Sequence, residues 1–84
     1  DKNKVQLNLC YQFALRRNRF LKGELLWKWE VTRKGRINNL ILSKDTLKDE
    51  EMVQCIRAEI LAWSFPPLKK NIRIYKVFKF DPEQ

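Results

Sequence analysis

Between residues 24 and 32 the chain alternates. Leu25, Trp27, Trp29 and Val31 fall on one face, and Glu24, Lys28, Glu30 and Thr32 on the other, with Leu26 alone interrupting the polar side. A period of two held over this length is a strand with one buried and one wetter face. Arg33-Lys34-Gly35 follows as a compact turn in which the glycine supplies a positive φ. Residues 36–43 return as a second strand, so the two form a hairpin. Alternation is poorer there, because Leu40, Ile41 and Leu42 run together; Asn38-Asn39 mark a bulge or a change of pairing.

Helical periods flank the hairpin. Over residues 4–18, Val5, Leu9 and Phe13 recur four apart, with Cys10 and Ala14 beside them, predicting a helix with this apolar stripe. Arg16, Arg17 and Arg19 crowd its C-terminal end, where cations suit the helix dipole, and Gly23 punctuates the change of period. A second helix starts with Thr46 or Asp49 as its cap and carries Asp49, Glu50 and Glu51 in the first turn. Val53, Ile56, Ile60 and Trp63 trace one face of it, with Met52 and Leu61 at the margins, and Phe65-Pro66-Pro67 ends it. After a Lys69-Lys70-Asn71 loop, Ile72, Ile74, Phe78 and Phe80 share one face of a third strand, which Lys76 interrupts.

The order is therefore α-β-β-α-β, an α+β fold. The crossover helix sets the third strand parallel to the second, so it pairs antiparallel with the first. The expected sheet is three-stranded and antiparallel, in order 2-1-3, with both helices on one face. The third strand is then an edge with free backbone donors and acceptors.

Eighty-four residues make one domain, 1–84, near the low end of what a lone core can stabilise. A hydrophobic content of 44% is too high for a disordered tail. The net charge of +8 favours anionic partners without choosing among them, and the absence of histidine removes the commonest general base and metal ligand together. Ser43 and Ser64 have no histidine to activate them, and Lys44, adjacent to Ser43, points the opposite way. Two cysteines 45 apart lack a metal ligand set, and there is no Gly-rich phosphate loop. These features imply no enzyme, cofactor, metal or small-molecule substrate. No run approaches the roughly 18 apolar residues of a membrane span. Trp27, Trp29 and Trp63 read as core rather than as a stacking platform. The cations form three groups in sequence: Arg16, Arg17, Arg19 and Lys22; Arg33, Lys34 and Arg36; Lys69 and Lys70.

Several stretches together match a known pattern: Cys10-Tyr11, Leu21-Lys22-Gly23, the Gly35 turn, Ser43 and Thr46-Leu47, Cys55-Ile56, Trp63-Ser64-Phe65-Pro66, and Tyr75 to Phe80. In order and spacing the chain resembles the C-terminal domain of TonB-like envelope proteins. In particular it resembles the variant at the end of gliding-motility and predatory-bacterial proteins of the AgmX/PglI type. It departs from that pattern at Arg19-Phe20 and at Tyr75-Lys76, where a proline is usual. The resemblance implies a periplasmic domain at the end of a longer, energy-transducing protein, tethered to the inner membrane through an upstream segment. It also implies a Cys10–Cys55 disulfide pinning helix to helix, the alternative being two buried free thiols.

The partner expected from the resemblance is an outer-envelope protein or peptide segment, added as a strand at the third-strand edge. Asn71, Arg73, Tyr75, Val77 and Lys79 would contact it. The domain would touch the membrane only through its upstream anchor. Two rivals stand beside this expectation: a homodimer exchanging the same strand, and a basic nucleic-acid-binding domain exploiting the charge.

Overall fold

The computed structural model describes residues 2–82, with side chains from residue 4 onward. Its elements are α1 (Lys2–Arg17), β1 (Gly23–Val31), β2 (Ile37–Asp45), α2 (Glu50–Leu61) and β3 (Ile72–Phe80). The sheet order is β2-β1-β3 with both pairings antiparallel, as the topology of the sequence requires. Leu25, Trp27, Trp29 and Val31 are buried, and Glu24, Leu26, Lys28 and Glu30 are half-buried on the uncovered face. The two helices cover the inner face of this central strand and complete one core.

The hairpin tip is built tightly. Thr32 N–H donates to the Arg36 carbonyl and Gly35 N–H to the Thr32 carbonyl, both at 2.8 Å. Gly35 has φ +81°, and a Cβ there would lie 1.9 Å from the Phe65 carbonyl oxygen, so no other residue fits. The chain after α2 straps this tip, with Phe65 N–H on the Gly35 carbonyl at 2.9 Å and Leu68 N–H on the Arg33 carbonyl at 2.9 Å.

β2 bulges at the two asparagines. Lys28 faces Ile41 while Glu30 faces Asn38, which leaves an extra residue on β2, and Asn39 takes φ 54°. A second shift lies between Leu26 and Trp27, where Ser43 is the extra residue. The first bulge lets Leu40 and Leu42 turn inward while Ile41 faces out, which accounts for the broken alternation.

Three details correct the sequence expectations. On α1 the buried stripe is Leu7, Cys10, Tyr11 and Ala14, and Val5, Leu9 and Phe13 face solvent. The helix is apolar on opposite sides, so period alone does not choose the inner face. Contacts choose it: the Tyr11 hydroxyl donates to the Leu21 carbonyl at 2.6 Å, and fully buried Ala14 lets the helix approach closely. Asp49 alone caps α2, accepting from Met52 N–H at 2.9 Å, while the Thr46 hydroxyl oxygen accepts from Glu24 N–H at 2.8 Å and anchors the start of β1. Finally, α2 ends at Leu61, so Trp63 lies beyond the helix. The residue before a proline disfavours helical backbone, and Phe65 N–H is committed to the hairpin tip, which pulls the preceding residues straight. Met52 is fully buried, whereas Leu61 is exposed.

A disulfide joins Cys10 of α1 to Cys55 of α2, with the Cα atoms 5.7 Å apart. Arg17 reinforces the same contact with Nη2 2.6 Å from Asp49 Oδ1 and Nη1 3.0 Å from Glu51 Oε2. α1 is therefore held against α2, and it meets β3 through Tyr11, whose ring lies 5.1 Å from that of Phe80.

Candidate functional site

β1 is paired on both sides, so among the described residues β2 and β3 each keep one edge that no strand occupies. The two edges differ. β2 is broken by two register shifts, which twist a strand away from regular pairing, whereas β3 matches β1 without interruption from Gly23↔Phe80 to Val31↔Ile72. The regular nine-residue edge is the better template for another strand.

The outer row of β3 is well exposed. Arg73 has 86% of its side chain accessible, with Nε 3.8 Å from Glu30 Oε1. Tyr75 is 65% exposed, and Lys28 Nζ stands 4.9 Å from its ring centre. Val77 lies beside Leu26, and Lys79 beside Glu24. The Glu24 carboxyl is held below its ordinary range, first by the hydrogen bond and charge of Lys44 at 2.9 Å and secondarily by Lys79. These four candidates share one row. Asn71 stands apart, because its Oδ1 accepts from Arg33 N–H at 2.9 Å and so secures the hairpin tip.

The inner flank of the same edge holds what sequence reasoning missed. α1 is drawn toward α2, and an open cleft of about 590 Å³ separates it from the C-terminal half of β3. Val77 and Lys79 line this cleft together with Phe78 and Phe80. Neighbouring residues of a strand point to opposite faces, so only a space lying against the free edge touches both sets. The opposite wall is α1, through Lys4, Asn8 and Gln12 together with apolar Val5, Leu7 and Leu15. A second cleft of about 450 Å³ adjoins the first and runs toward Trp63, Phe65 and Ile74, with Lys76 at its margin. Lys76 was the one legible trace of this opening, since a lysine on an inward row implies that the row is not covered.

The tryptophans are structural. Trp27 and Trp29 are buried, and Trp63 packs edge-on against Trp29 with ring centres 5.9 Å apart. The tip contacts also bring Lys69 and Lys70 toward Arg33, Lys34 and Arg36, while the first basic group lies beyond the other end of β1. Among the described residues no three His, Cys, Asp or Glu side chains converge as a metal site would require. No described helix is long and apolar enough to cross a membrane.

No protein-family model matches the chain, and no curated protein sequence matches it. Among solved structures it is similar to the solution structure of the Helicobacter pylori TonB C-terminal domain. The TM-score is 0.59 at 11% identity, over 95% of this chain and 80% of that one. With its α-β-β-α-β order and 2-1-3 antiparallel sheet, the chain has a TonB C-terminal-like fold.

Proposed function

We propose that this domain is a non-catalytic, periplasmic protein-interaction module of an envelope-spanning complex that takes up an extended segment of an outer-envelope partner along β3. The carrying observation is the uninterrupted free edge of β3 with an open cleft beside it. Main-chain hydrogen bonds would supply affinity, and alternate side chains would supply selection. Outward residues of the guest would meet Arg73, Tyr75, Val77 and Lys79, and inward residues would enter the cleft between α1 and β3. The cations of both rows favour a guest with carboxylates among its apolar residues. The Cys10–Cys55 disulfide supports an oxidising compartment. An upstream segment would tether the domain, as one unit spanning residues 1–84, to the inner membrane. The sequence resemblance further supports the gliding-motility type of energy-transducing protein. Trp27 and Trp29 are buried and Trp63 is half-buried, so the tryptophans lend no stacking platform to the nucleic-acid reading.

Backbone direction gives the test. Of any two neighbouring residues in β3, one turns its N–H toward β1 and the other toward the free side. Proline placed in turn at Tyr75 and Lys76 therefore yields one variant with a broken ladder and one that is folded but blocked. A photo-crosslinking side chain at Lys79, in cell envelopes, identifies the bound protein. The folded proline variant is expected to lose that crosslink, and an undiminished crosslink overturns strand addition at this edge. A crosslink to a second copy of the chain, with dimer mass in light scattering, establishes the strand-exchanged homodimer instead.

A further inference from the structure

The outward face of α1 carries an apolar stripe of which strand addition uses only the Val5 end, in the wall of the cleft. Val5, Leu9 and Phe13 follow one another at helical spacing of four and are 58%, 43% and 53% exposed. Phe20, in the turn just past the helix, is 80% exposed. The inner face of α1 is fully occupied by the core, so this second apolar stripe has no structural duty. Isolated exposed apolar residues are ordinary, but an aligned set is not.

Charge around the stripe is one-sided. From Lys2 to Gly23 the chain carries six lysines and arginines and no aspartate or glutamate. Arg17 is taken up by Asp49 and Glu51 on the α2 side. Two other arginines flank the stripe itself, with the guanidinium of Arg16 5.2 Å from the Phe13 ring centre and that of Arg19 5.9 Å from the Phe20 ring centre. Each pair sets a cation level with an aromatic ring, an arrangement suited to a boundary between anionic headgroups and hydrocarbon. Leu9, Phe13 and Phe20 line neither cleft, and of the stripe only Val5 reaches the larger cleft beside β3. A helix crest offers no groove for a partner's side chains, whereas a bilayer closes around it from every side.

We infer that the outer face of α1 is a peripheral docking surface for an anionic lipid bilayer, with Leu9, Phe13 and Phe20 entering the interface and Arg16 and Arg19 meeting lipid phosphates. This contact is distinct from any upstream anchor and leaves the β3 edge open to a partner. It lays α1 along the membrane plane.

The test is co-sedimentation of the disulfide-bonded 84-residue chain with vesicles of phosphatidylethanolamine and phosphatidylglycerol, against vesicles of phosphatidylcholine alone. Binding to the anionic vesicles is expected. Phe13→Ser combined with Phe20→Ser should weaken it about tenfold or more, as should Arg16→Glu combined with Arg19→Glu. All four side chains are exposed, so retained circular dichroism and an intact disulfide are expected for both variants. In a separate Phe13→Trp variant, the added indole fluorescence should shift to the blue and be quenched by brominated lipid. Anionic-vesicle binding that survives the serine pair but is lost on neutralising Arg33, Lys34 and Arg36 overturns the inference in favour of adsorption by net charge. No vesicle binding also overturns it, and a dimer dissociated by the serine pair would then assign the stripe to a second copy of this chain.

Discussion

Single residues hold this domain at the junctions between elements. Gly35 is the sharpest case, since any Cβ collides with the Phe65 carbonyl where the loop after α2 straps the hairpin. Gly35→Ala is expected to cost about 3 kcal/mol, from the positive φ and the displaced strap together, read as a lower urea midpoint at unchanged slope. Asp49 caps α2 and receives Arg17 from α1. Asp49→Ala should cost roughly 1–2 kcal/mol, more than Glu51→Ala, whose salt bridge is largely exposed. Tyr11 is buried with its hydroxyl on the Leu21 carbonyl, and burial, then the nearby Asp81 charge, raises its pKa above 10.0. The unfolded chain loses this proton first. The stabilisation is thus complete below the ordinary tyrosine value and is lost as pH rises through the folded one. An alkaline absorbance titration should show a tyrosine step above the ordinary value that disappears in Tyr11→Phe and in denaturant.

At the level of elements, the disulfide and the free edge matter most. Cys10 and Cys55 close a loop of 45 residues between helices. On the chain-entropy model the replacement of both by serine should remove roughly 3–4 kcal/mol, a large share of what a domain this small possesses. Thermal denaturation with and without reductant measures it. In β3, alternate amides face no partner strand, so they should exchange with solvent far faster than the amides bonded to β1. A bound guest strand is expected to slow that fast set specifically. Uniform slow exchange along β3 would mean that its edge is already covered, by a second copy or by the chain itself.

The whole molecule is elongated, 43 × 24 × 20 Å. Its surfaces divide around the long axis. The uncovered sheet face carries the row from Arg73 to Lys79, the free edge and clefts separate β3 from α1, and the outer crest of α1 carries the apolar stripe. A partner strand and a bilayer would meet only near Val5, at the N-terminal end of α1, so both contacts could be made together. The serine pair at Phe13 and Phe20 should accordingly leave guest-strand crosslinking at Lys79 unchanged. Loss of both at once would show that the two surfaces are not independent.

Much of this architecture was legible in the residues alone. The alternation from Leu25 to Val31 determined a one-faced central strand, because a side-chain period of two admits no other burial. The crossover helix, which returns the chain parallel to the second strand, determined the 2-1-3 order, and with it the free edge. Asn38-Asn39 marked a bulge or a change of pairing; a bulge formed, with Asn39 in the left-handed region that asparagine tolerates. Tertiary structure decided the rest. Val5-Leu9-Phe13 and Leu7-Cys10-Tyr11-Ala14 are both valid helical stripes, and periodicity contains nothing that ranks them. The disulfide, the Tyr11–Leu21 hydrogen bond and the tight seat of Ala14 rank them, and each involves groups distant in sequence. The same pull of α1 toward α2 opened the clefts beside β3. Local pattern sets which residues can share a face, but only packing between elements chooses the face that is buried and the gap that is left.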